Sequence, residues 1–284
     1  MTSAASSTAG IESLLRFETV SLRFDETVAL DSVSFEMGPG ETRVVLGAAG
    51  SGKTTLLKVA IGLIRPDSGR VYLFGQDITG LKENQLFDIR SKVGVLFQEG
   101  GLFDSITVAE NVAYPLLNGH THNVPLDQVE TKVRDALRFV ELEQTVEQFP
   151  AELSGGMRRR VGIARAVVSE PPLVLYDSPT AGLDPITATT IMALIAKERD
   201  SQDIANLIVT QRYQDGQLMA NFRYNRNSGH LEPASSNEGA EGNGPDPART
   251  VFLVMKEGRV VFEGTQHELE ASQDAYVQKF VPKY

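Results

Sequence analysis

The chain contains the run Gly47-Ala48-Ala49-Gly50-Ser51-Gly52-Lys53-Thr54-Thr55, which fits the pattern G-x-x-x-x-G-K-[ST]. Glycines in such a loop let successive backbone N–H groups converge on phosphate oxygens. Lys53 supplies a positive charge for the outer phosphates, and the hydroxyl of Thr54 is placed to ligate Mg²⁺. The pattern predicts a site for a nucleoside triphosphate, with a chance glycine-rich turn as the alternative.

The flanking sequence favours the nucleotide site. Arg43-Val44-Val45-Leu46 is a short β-branched run typical of a buried strand. Residues 55–61 are apolar at helical spacing, so the loop opens onto a helix N-terminus, whose dipole attracts an anion. Strand, loop and helix therefore follow one another as triphosphate binding requires.

Composition limits the classes of function that fit. At 284 residues the chain can form one large domain or two modest ones. A net charge of −10 disfavours nucleic acid as the main partner, because duplex binding needs a basic surface. The sequence has no cysteine, which excludes disulfides and thiolate metal sites.

No segment predicts direct insertion into a membrane. Apolar runs stay well below bilayer-spanning length. Residues 1–10 are uncharged and rich in Ser, Ala and Thr, without the basic start and apolar core of a signal peptide. We expect a disordered lead-in there, and we expect any membrane role to come through a partner.

The remaining pattern alternates strands with helices, which predicts an α/β fold with a mostly parallel sheet. Strands are predicted at 14–24, 33–37, 43–46, 70–74, 173–176, 205–210, 251–255 and 260–263. Helices are predicted at 126–140, 154–168 and 186–198. We expect one domain over residues 11–270, with a helical subdomain at about 88–168 and a C-terminal tail at 271–284.

Residues 225–249 interrupt this pattern. They are rich in Asn, Ser, Gly, Pro and Glu, and they separate Phe222-Arg223-Tyr224 from the strand 251–255. We interpret them as a disordered insertion at the tip of a strand pair. The alternatives are an ordinary solvated loop, which we favour, and a docking element for a partner.

A second motif is Leu153-Ser154-Gly155-Gly156-Met157, which precedes three arginines and an apolar helix. The N–H groups of Gly155 and Gly156 at a helix start, beside the Ser154 hydroxyl, form another candidate anion site. The alternative is a simple N-cap. About twenty residues later, the strand 173–176 ends in Asp177, an acid suited to hold Mg²⁺ through water.

These motifs, with Val95-Leu96-Phe97-Gln98 between them and 179–185 after them, resemble the ATPase subunits of ABC transporters over nearly the whole chain. The resemblance implies a P-loop NTPase (RecA-like) core, an antiparallel β subdomain and an inserted α-helical subdomain. It implies that ATP is bound with Mg²⁺, that Phe24 stacks on adenine and that Gln98 reaches the metal. For Phe24 the alternative is a core strand residue.

The resemblance also implies two protein partners. Ser154, Gly155 and Gly156 match the signature motif, which closes over ATP held by a second ATP-binding subunit, and residues 181–184, ending in Asp184, match the D-loop. A homodimer is expected, with a heterodimer as the alternative. The other partner is an integral-membrane permease, which would hold the subunit at the cytoplasmic face of the membrane.

Further residues indicate a subfamily. The runs 98–103 and 107–116, the Met at the end of the signature and the terminal run 275–280 resemble the ATPases of Mla/Mce phospholipid-transport systems. In that family the segment around Tyr114 faces the permease. The alternative is an ordinary amphipathic helix.

Two positions depart from the family pattern. Ser178 stands where a Glu polarises the attacking water, and Gln211 stands where a His contacts the γ-phosphate. A serine hydroxyl can orient water but cannot deprotonate it at neutral pH, and a glutamine cannot carry the charge of a histidine. Loss of a positioned base typically slows a reaction by about 10²–10⁴-fold. Glu99, a carboxylate beside Gln98, lies near the metal or is an ordinary surface residue.

Two hypotheses follow. The chain is an ATPase that drives lipid movement slowly, or it is an ATP-gated module whose partner subunit carries the missing Glu and His. A soluble ABC protein of repair or translation is a weaker alternative, because no tandem nucleotide domain or long coiled coil is visible.

Overall fold

The computed structural model describes residues 13–118, 124–234 and 250–282. Its strands are β1 (Leu15–Phe24), β2 (Thr27–Met37), β3 (Thr42–Gly47), β4 (Ser68–Leu73), β5 (Gln76–Asp77), β6 (Val93–Leu96), β7 (Leu173–Asp177), β8 (Ala205–Thr210), β9 (Phe222–Asn225), β10 (His230–Pro233), β11 (Thr250–Lys256) and β12 (Arg259–Gly264). Its α-helices are α1 (Lys53–Ala60), α2 (Glu83–Arg90), α3 (Val108–Asn118), α4 (Leu126–Phe139), α5 (Gly155–Val167), α6 (Pro185–Gln202), α7 (Tyr213–Asn221) and α8 (Gln266–Ala271). None of the helices within these ranges is long and apolar enough to cross a membrane.

The central sheet has the order β12-β11-β3-β8-β7-β6, and all its pairs are parallel except β11 with β12. Every residue of β3, β7 and β8 is buried, as expected for strands covered on both faces. In this register Leu46 lies opposite Thr210, and Asp177 lies opposite Val209. The carboxyl ends of the three strands therefore meet at one edge of the sheet.

A second, antiparallel sheet has the order β2-β1-β4-β5. Its apolar face joins one hydrophobic core with helix α1, in which the stacked rings of Phe17 and Phe35 are 4.8 Å apart. Phe24 is the last residue of β1 and is 47% exposed. The alternative of a core strand residue is therefore wrong for Phe24.

The predicted helical region around 88–168 contains helices α3, α4 and α5, which share a second core with β6, β7 and α6. It also contains strand β6, which pairs in parallel with β7 and belongs to the central sheet. The small residue Gly94 allows β6 to take this place in the sheet. A Cβ atom at this position would collide with the carbonyl oxygen of Ala166, so glycine lets the strand lie directly under α5.

The expected strand pair across the insertion is wrong. Strand β9 pairs with β10, within the predicted insertion, and not with β11. The Asn225 side chain accepts a hydrogen bond from the N–H of Asn227 at 2.8 Å, which starts the turn locally. The hairpin is fixed to α6, because Asp200 accepts from the N–H of Tyr224 at 2.7 Å. Residues 235–249, like residues 1–10, lie outside the described ranges.

The C-terminal segment packs against the central sheet beside α8. Val277 is fully buried in a small core with Tyr213 and Phe252. The hydroxyl of Tyr276 donates to the carbonyl oxygen of Met255 at 3.1 Å, at the end of β11. The segment therefore reaches the edge of the sheet where the phosphate loop lies.

Glu198, a buried acid on α6, leads us to expect a stability that depends on pH. The Tyr176 hydroxyl donates to Glu198 Oε2 at 2.7 Å, while Oε1 has no partner within the described residues. Burial raises the pKa of Glu198 to about 7, although the hydrogen bond from Tyr176 opposes the shift. Unfolding returns the group to its ordinary value of 4.5, so the folded state binds the proton more tightly.

We therefore expect the free energy of unfolding to fall as pH rises from about 4.5 to 7, by roughly 3 kcal/mol in total. Glu198→Gln keeps an acceptor for Tyr176 and removes the titration. Urea unfolding at pH 5 and pH 8 checks this. The free energy of unfolding of the variant minus that of the wild type should be larger at pH 8 than at pH 5. A constant difference between the two pH values contradicts the prediction.

Candidate functional site: a nucleotide site at the sheet edge

The phosphate loop runs from the end of β3 to the start of α1. Gly50 and Gly52 have φ of 76° and 102°, in the left-handed region that favours glycine. A Cβ atom on Gly52 would also collide with the carbonyl oxygen of Ala29, and one on Gly47 would lie 2.7 Å from that of Met255. The loop is therefore a tight backbone cradle that these glycines permit, which fits the binding of phosphate by N–H groups.

Lys53 lies buried within this cradle. Its Nζ donates to the carbonyl oxygens of Gly47 and Ala48, both at 2.8 Å, and to Ser51 Oγ at 3.3 Å. Burial lowers the pKa of Lys53, and the nearby charge of Asp177 opposes the shift. The lysine is thus held inside the loop, pre-positioned as a cation for phosphate oxygens.

The predicted magnesium ligands lie next to each other. The Thr54 hydroxyl, in the first turn of α1, donates to Asp177 Oδ1 at 3.3 Å, at the end of β7. Hydroxyl and carboxylate oxygens beside a phosphate cradle are a donor set that suits Mg²⁺. The structure therefore brings Lys53, Thr54 and Asp177 together, as the sequence predicted.

Ser178 follows Asp177 at the same edge. Its Oγ donates to Asp177 Oδ1 at 3.1 Å, and its N–H donates to the carbonyl oxygen of Val209 at 2.8 Å. Ser178 has φ of 52°, so its backbone is already in the left-handed region. The side chain is fixed next to the acid and contributes a hydroxyl, not a carboxylate.

Gln98 lies in a 3-10 turn (Gln98–Gly100) after β6, and its side chain is exposed. The turn is held by Arg165 of α5, whose Nη2 donates to the carbonyl oxygens of Gly100 and Gly101 at 3.0 and 2.9 Å. Arg165 is 8% exposed, and burial lowers its pKa. Gln211, directly after β8, is exposed at the edge that Asp177 shares.

Ser154 begins helix α5. Its Oγ accepts from the N–H of Met157 at 3.2 Å, so Ser154 is the N-cap of α5. The glycines after it line a cleft of about 450 Å³ with the segment around Asp184, which caps α6 by accepting from the N–H of Thr187 at 3.0 Å. The signature residues thus face the D-loop and the start of α6. An anion site at Gly155 and Gly156 stays a prediction.

Sequence reasoning did not find two buried charged residues that hold site segments. These are Arg165, on an otherwise apolar stretch of α5, and Asp215, which is 1% exposed in the first turn of α7. A charged residue on a buried helix face was the available signal, since such groups are rarely buried without partners.

Comparison with known proteins identifies the family. The family described as ABC transporter matches residues 30–181, which include the phosphate loop, the signature motif and Asp177. The chain belongs to the ABC transporter family. The resemblance inferred from the sequence is confirmed, and so is the fold: an ABC cassette with a mainly parallel sheet, an antiparallel sheet and helices.

The chain is similar to two curated ABC proteins with different transport roles and to one solved structure. The methionine import ATP-binding protein MetN of Carboxydothermus hydrogenoformans is 42% identical over 64% of this chain and 53% of its own length. The intermembrane phospholipid transport system ATP-binding protein MlaF of Haemophilus influenzae is 29% identical over 95% of this chain and 90% of its own length. The chain spans about half the length of the MetN proteins it matches.

The third is a solved structure, a dimeric ATP-binding cassette in a post-hydrolysis state bound to ADP and Pi. It has a TM-score of 0.72 and is 26% identical, over 88% of this chain and 98% of its own length. Its fold therefore extends over most of this ABC chain.

The phosphate loop offers a direct test of its cradle. We expect Gly52→Ala to weaken the binding of Mg-ADP and to lower the free energy of unfolding by about 1–3 kcal/mol more than Gly50→Ala does. Both positions have a positive φ, but a Cβ on Gly50 meets no atom within 4 Å, so Gly50→Ala is the matched control for backbone strain. Equal losses in the two variants, measured by calorimetry and urea unfolding, would contradict the steric explanation.

Proposed function

We propose that the chain is the ATP-binding subunit of an ABC transporter, which dimerises on ATP and powers or gates the movement of phospholipid or another hydrophobic cargo. The observation that carries the proposal is the meeting of Lys53, Thr54 and Asp177 at one sheet edge, within the family's motifs. The match with MlaF over nearly the whole chain supports the lipid cargo.

ATP and Mg²⁺ have a specific place in this proposal. The loop N–H groups and Lys53 bind the phosphates, Thr54 and Asp177 hold the metal with Gln98, and Phe24 stacks on adenine. The bound metal supplies charge stabilisation for phosphoryl transfer. The carboxylate of Asp177 also accepts from the Ser178 hydroxyl, which holds that hydroxyl beside the proposed metal site.

Hydrolysis is proposed to be slow. The Ser178 proton points to Asp177, so the serine oxygen can accept a hydrogen bond from water and orient it without removing a proton. The side-chain amide of Gln211 can donate hydrogen bonds but adds no positive charge. Positioning and electrostatic stabilisation remain, and they account for most of phosphoryl-transfer catalysis. The alternative is a module that binds ATP without hydrolysing it and works beside a catalytically complete subunit.

A second ATP-binding subunit is part of this proposal, and the position of the signature motif supports it. Ser154, Gly155 and Gly156 border a cleft with the D-loop rather than the phosphate loop of their own chain. An open cleft of this kind, next to the 82% exposed Ile186, suits a second cassette. The dimeric cassette that the chain resembles supports this arrangement. A homodimer is the simpler form, and it would carry Ser178 in both sites.

The permease is proposed to dock at a groove between strand β6 and helices α2, α3 and α5. The groove measures about 370 Å³, and its lining includes Phe87 of α2, Val95 after Gly94 in β6, and Tyr114 with Pro115 of α3. Phe87 and Tyr114 are 40% and 44% exposed. An apolar groove with exposed aromatic rings suits a short helix of a partner, and docking there would hold the subunit at the cytoplasmic face of the membrane.

Methionine import is the second candidate for the cargo. It rests on the 42% identity with MetN, which is higher than the 29% identity with MlaF, although the match covers less of either chain. Reconstitution of the subunit with its permease, and transport assays with labelled phospholipid and labelled methionine, distinguish the two.

The proposed slow hydrolysis predicts a gain of activity. We expect the double variant Ser178→Glu, Gln211→His to release phosphate from Mg-ATP about 10²-fold faster than wild type, or more, because it restores a general base. Steady-state phosphate release by the purified protein measures this, with Lys53→Ala in the double-variant background as the control for contaminating ATPase. Wild-type turnover within a few-fold of the double variant would contradict both slow hydrolysis and the binding-module alternative.

The docking groove predicts a separate loss. We expect Phe87→Glu to abolish co-purification with the permease while the affinity for Mg-ADP stays within about twofold, because a carboxylate in an apolar groove is costly to desolvate. Val261→Glu is the matched control, since Val261 is 42% exposed on β12 at the other end of the sheet. Retained assembly of Phe87→Glu, or equal loss with the control, would reject the groove as the docking site.

A further inference from the structure

We propose that Asp215 is a positioning residue that ties the D-loop to the strand end that carries Gln211, so that the two segments move together. This inference rests on the proposed function as an ATP-dependent dimer. Its basis is a buried carboxylate in α7 that contacts both segments and that no motif explains.

Asp215 makes two short hydrogen bonds through a single oxygen. Its Oδ2 accepts from Thr180 Oγ1 at 2.6 Å and from Thr210 Oγ1 at 2.6 Å. The three residues are 1%, 0% and 2% exposed. Burial raises the pKa of Asp215, and the two hydroxyls and Arg212 lower it. Hydrogen bonds to a charged acceptor in such surroundings are among the stronger ones in a protein.

The first hydroxyl fixes the start of the D-loop. Thr180 directly precedes residues 181–184, and its carbonyl oxygen accepts from the N–H of Leu183 at 3.2 Å. The next residue, Ala181, accepts through its carbonyl oxygen from the guanidinium of Arg159, which lies on the signature helix α5. The D-loop is thus held on one side by the signature helix and on the other by Asp215.

The second hydroxyl fixes the residues around Gln211. Thr210 is the last residue of β8, and its Oγ1 also accepts from the N–H of Arg212 at 3.1 Å. Arg212 in turn faces Asp215, with its Nε 3.6 Å from Oδ1. Thr210 and Arg212 flank Gln211 in the sequence, so the carboxylate of Asp215 restrains the chain on both sides of it.

A contribution to stability alone does not account for this arrangement. Thr180 lies on the connection after β7, and Thr210 is the last residue of β8. Thr180 borders the D-loop, and Thr210 borders Gln211. Because both bonds share one oxygen, a shift of the D-loop when the second subunit closes changes the bond that remains for Thr210. The carboxylate therefore transmits dimer closure to Gln211.

The test uses Thr180→Val and Thr210→Val, which remove one hydroxyl each and nearly keep the volume, and the double variant. Thr145→Val is the matched control, since Thr145 is 1% exposed and its hydroxyl donates to the carbonyl oxygen of Leu142 at 2.8 Å, within the helical part. Analytical ultracentrifugation gives the Mg-ATP concentration for half-maximal dimerisation. Calorimetry gives the affinity for Mg-ADP, which reports the nucleotide site of one subunit.

We expect each single variant to raise the Mg-ATP concentration for half-maximal dimerisation about tenfold, because it loses one hydrogen bond to a charged group. The affinity for Mg-ADP should stay unchanged within twofold. The double variant should show less than the product of the two effects, because the bonds act through one carboxylate. Thr145→Val should lower the melting temperature without moving the dimerisation midpoint.

Dimerisation of both single variants at the wild-type concentration, or strictly multiplicative effects, would overturn the positioning role. If a valine variant does not fold, Asp215→Asn replaces it, and an unchanged dimerisation midpoint in Asp215→Asn has the same meaning. Failure of the proposed function is distinguishable: in that case the wild-type protein itself neither binds Mg-ADP nor dimerises with Mg-ATP.

Discussion

Three parallel strands, β3, β8 and β7, are paired in a register that brings their carboxyl ends to one edge, and the site depends on this pairing. Leu46 lies opposite Thr210, and Asp177 lies opposite Val209. Asp177 at the end of β7, Gln211 directly after β8 and Lys53 at the start of α1 therefore all lie at that edge. A shift by one residue would turn each buried side chain to the other face and separate Thr54 from Asp177. Because all three strands are buried on both faces, the core holds the register that brings these site residues together.

Helix α5 connects the sheet edge with the surfaces where partners are proposed to bind. Ser154 caps its start beside the D-loop, Arg159 contacts Ala181 one turn later, and Arg165 holds the turn that carries Gln98. Gly162 allows the close contact, since a Cβ there would lie 3.0 Å from the carbonyl oxygen of Gly100. Since a helix is rigid over this length, a rotation of helices α3, α4 and α5 would move the signature motif and the Gln98 turn together.

The sequence predicted those parts of the fold and site that local patterns encode. The strand at 205–210 has the predicted bounds, and the fixed spacing from Gly47 to Thr54 predicted the phosphate loop. Strand β6 is only four residues long and precedes a helical stretch. The sequence around it therefore predicted helices, and β6 was not predicted as a strand of the sheet. The hairpin of β9 and β10 was missed because its polar composition is the same as that of a disordered loop. Asp215 could not be assigned a role, because Thr180 and Thr210 meet it only through the sheet register.

The geometry at Ser178 indicates that the altered base position is compatible with an ordered site. Its φ of 52° is imposed by the connection after β7 and does not depend on the side chain, because the N–H donates to Val209 and the carbonyl oxygen accepts from Ala181 at 3.1 Å. A glutamate at this position would meet the same backbone and would carry a longer side chain that ends in a carboxylate. The serine stops short and donates to Asp177 instead, which orients the carboxylate that is proposed to hold the metal. Serine therefore offers no carboxylate that could accept a proton, while the groups proposed to bind ATP are all present. This arrangement is consistent with the proposal that the cassette closes on ATP while its own turnover is slow.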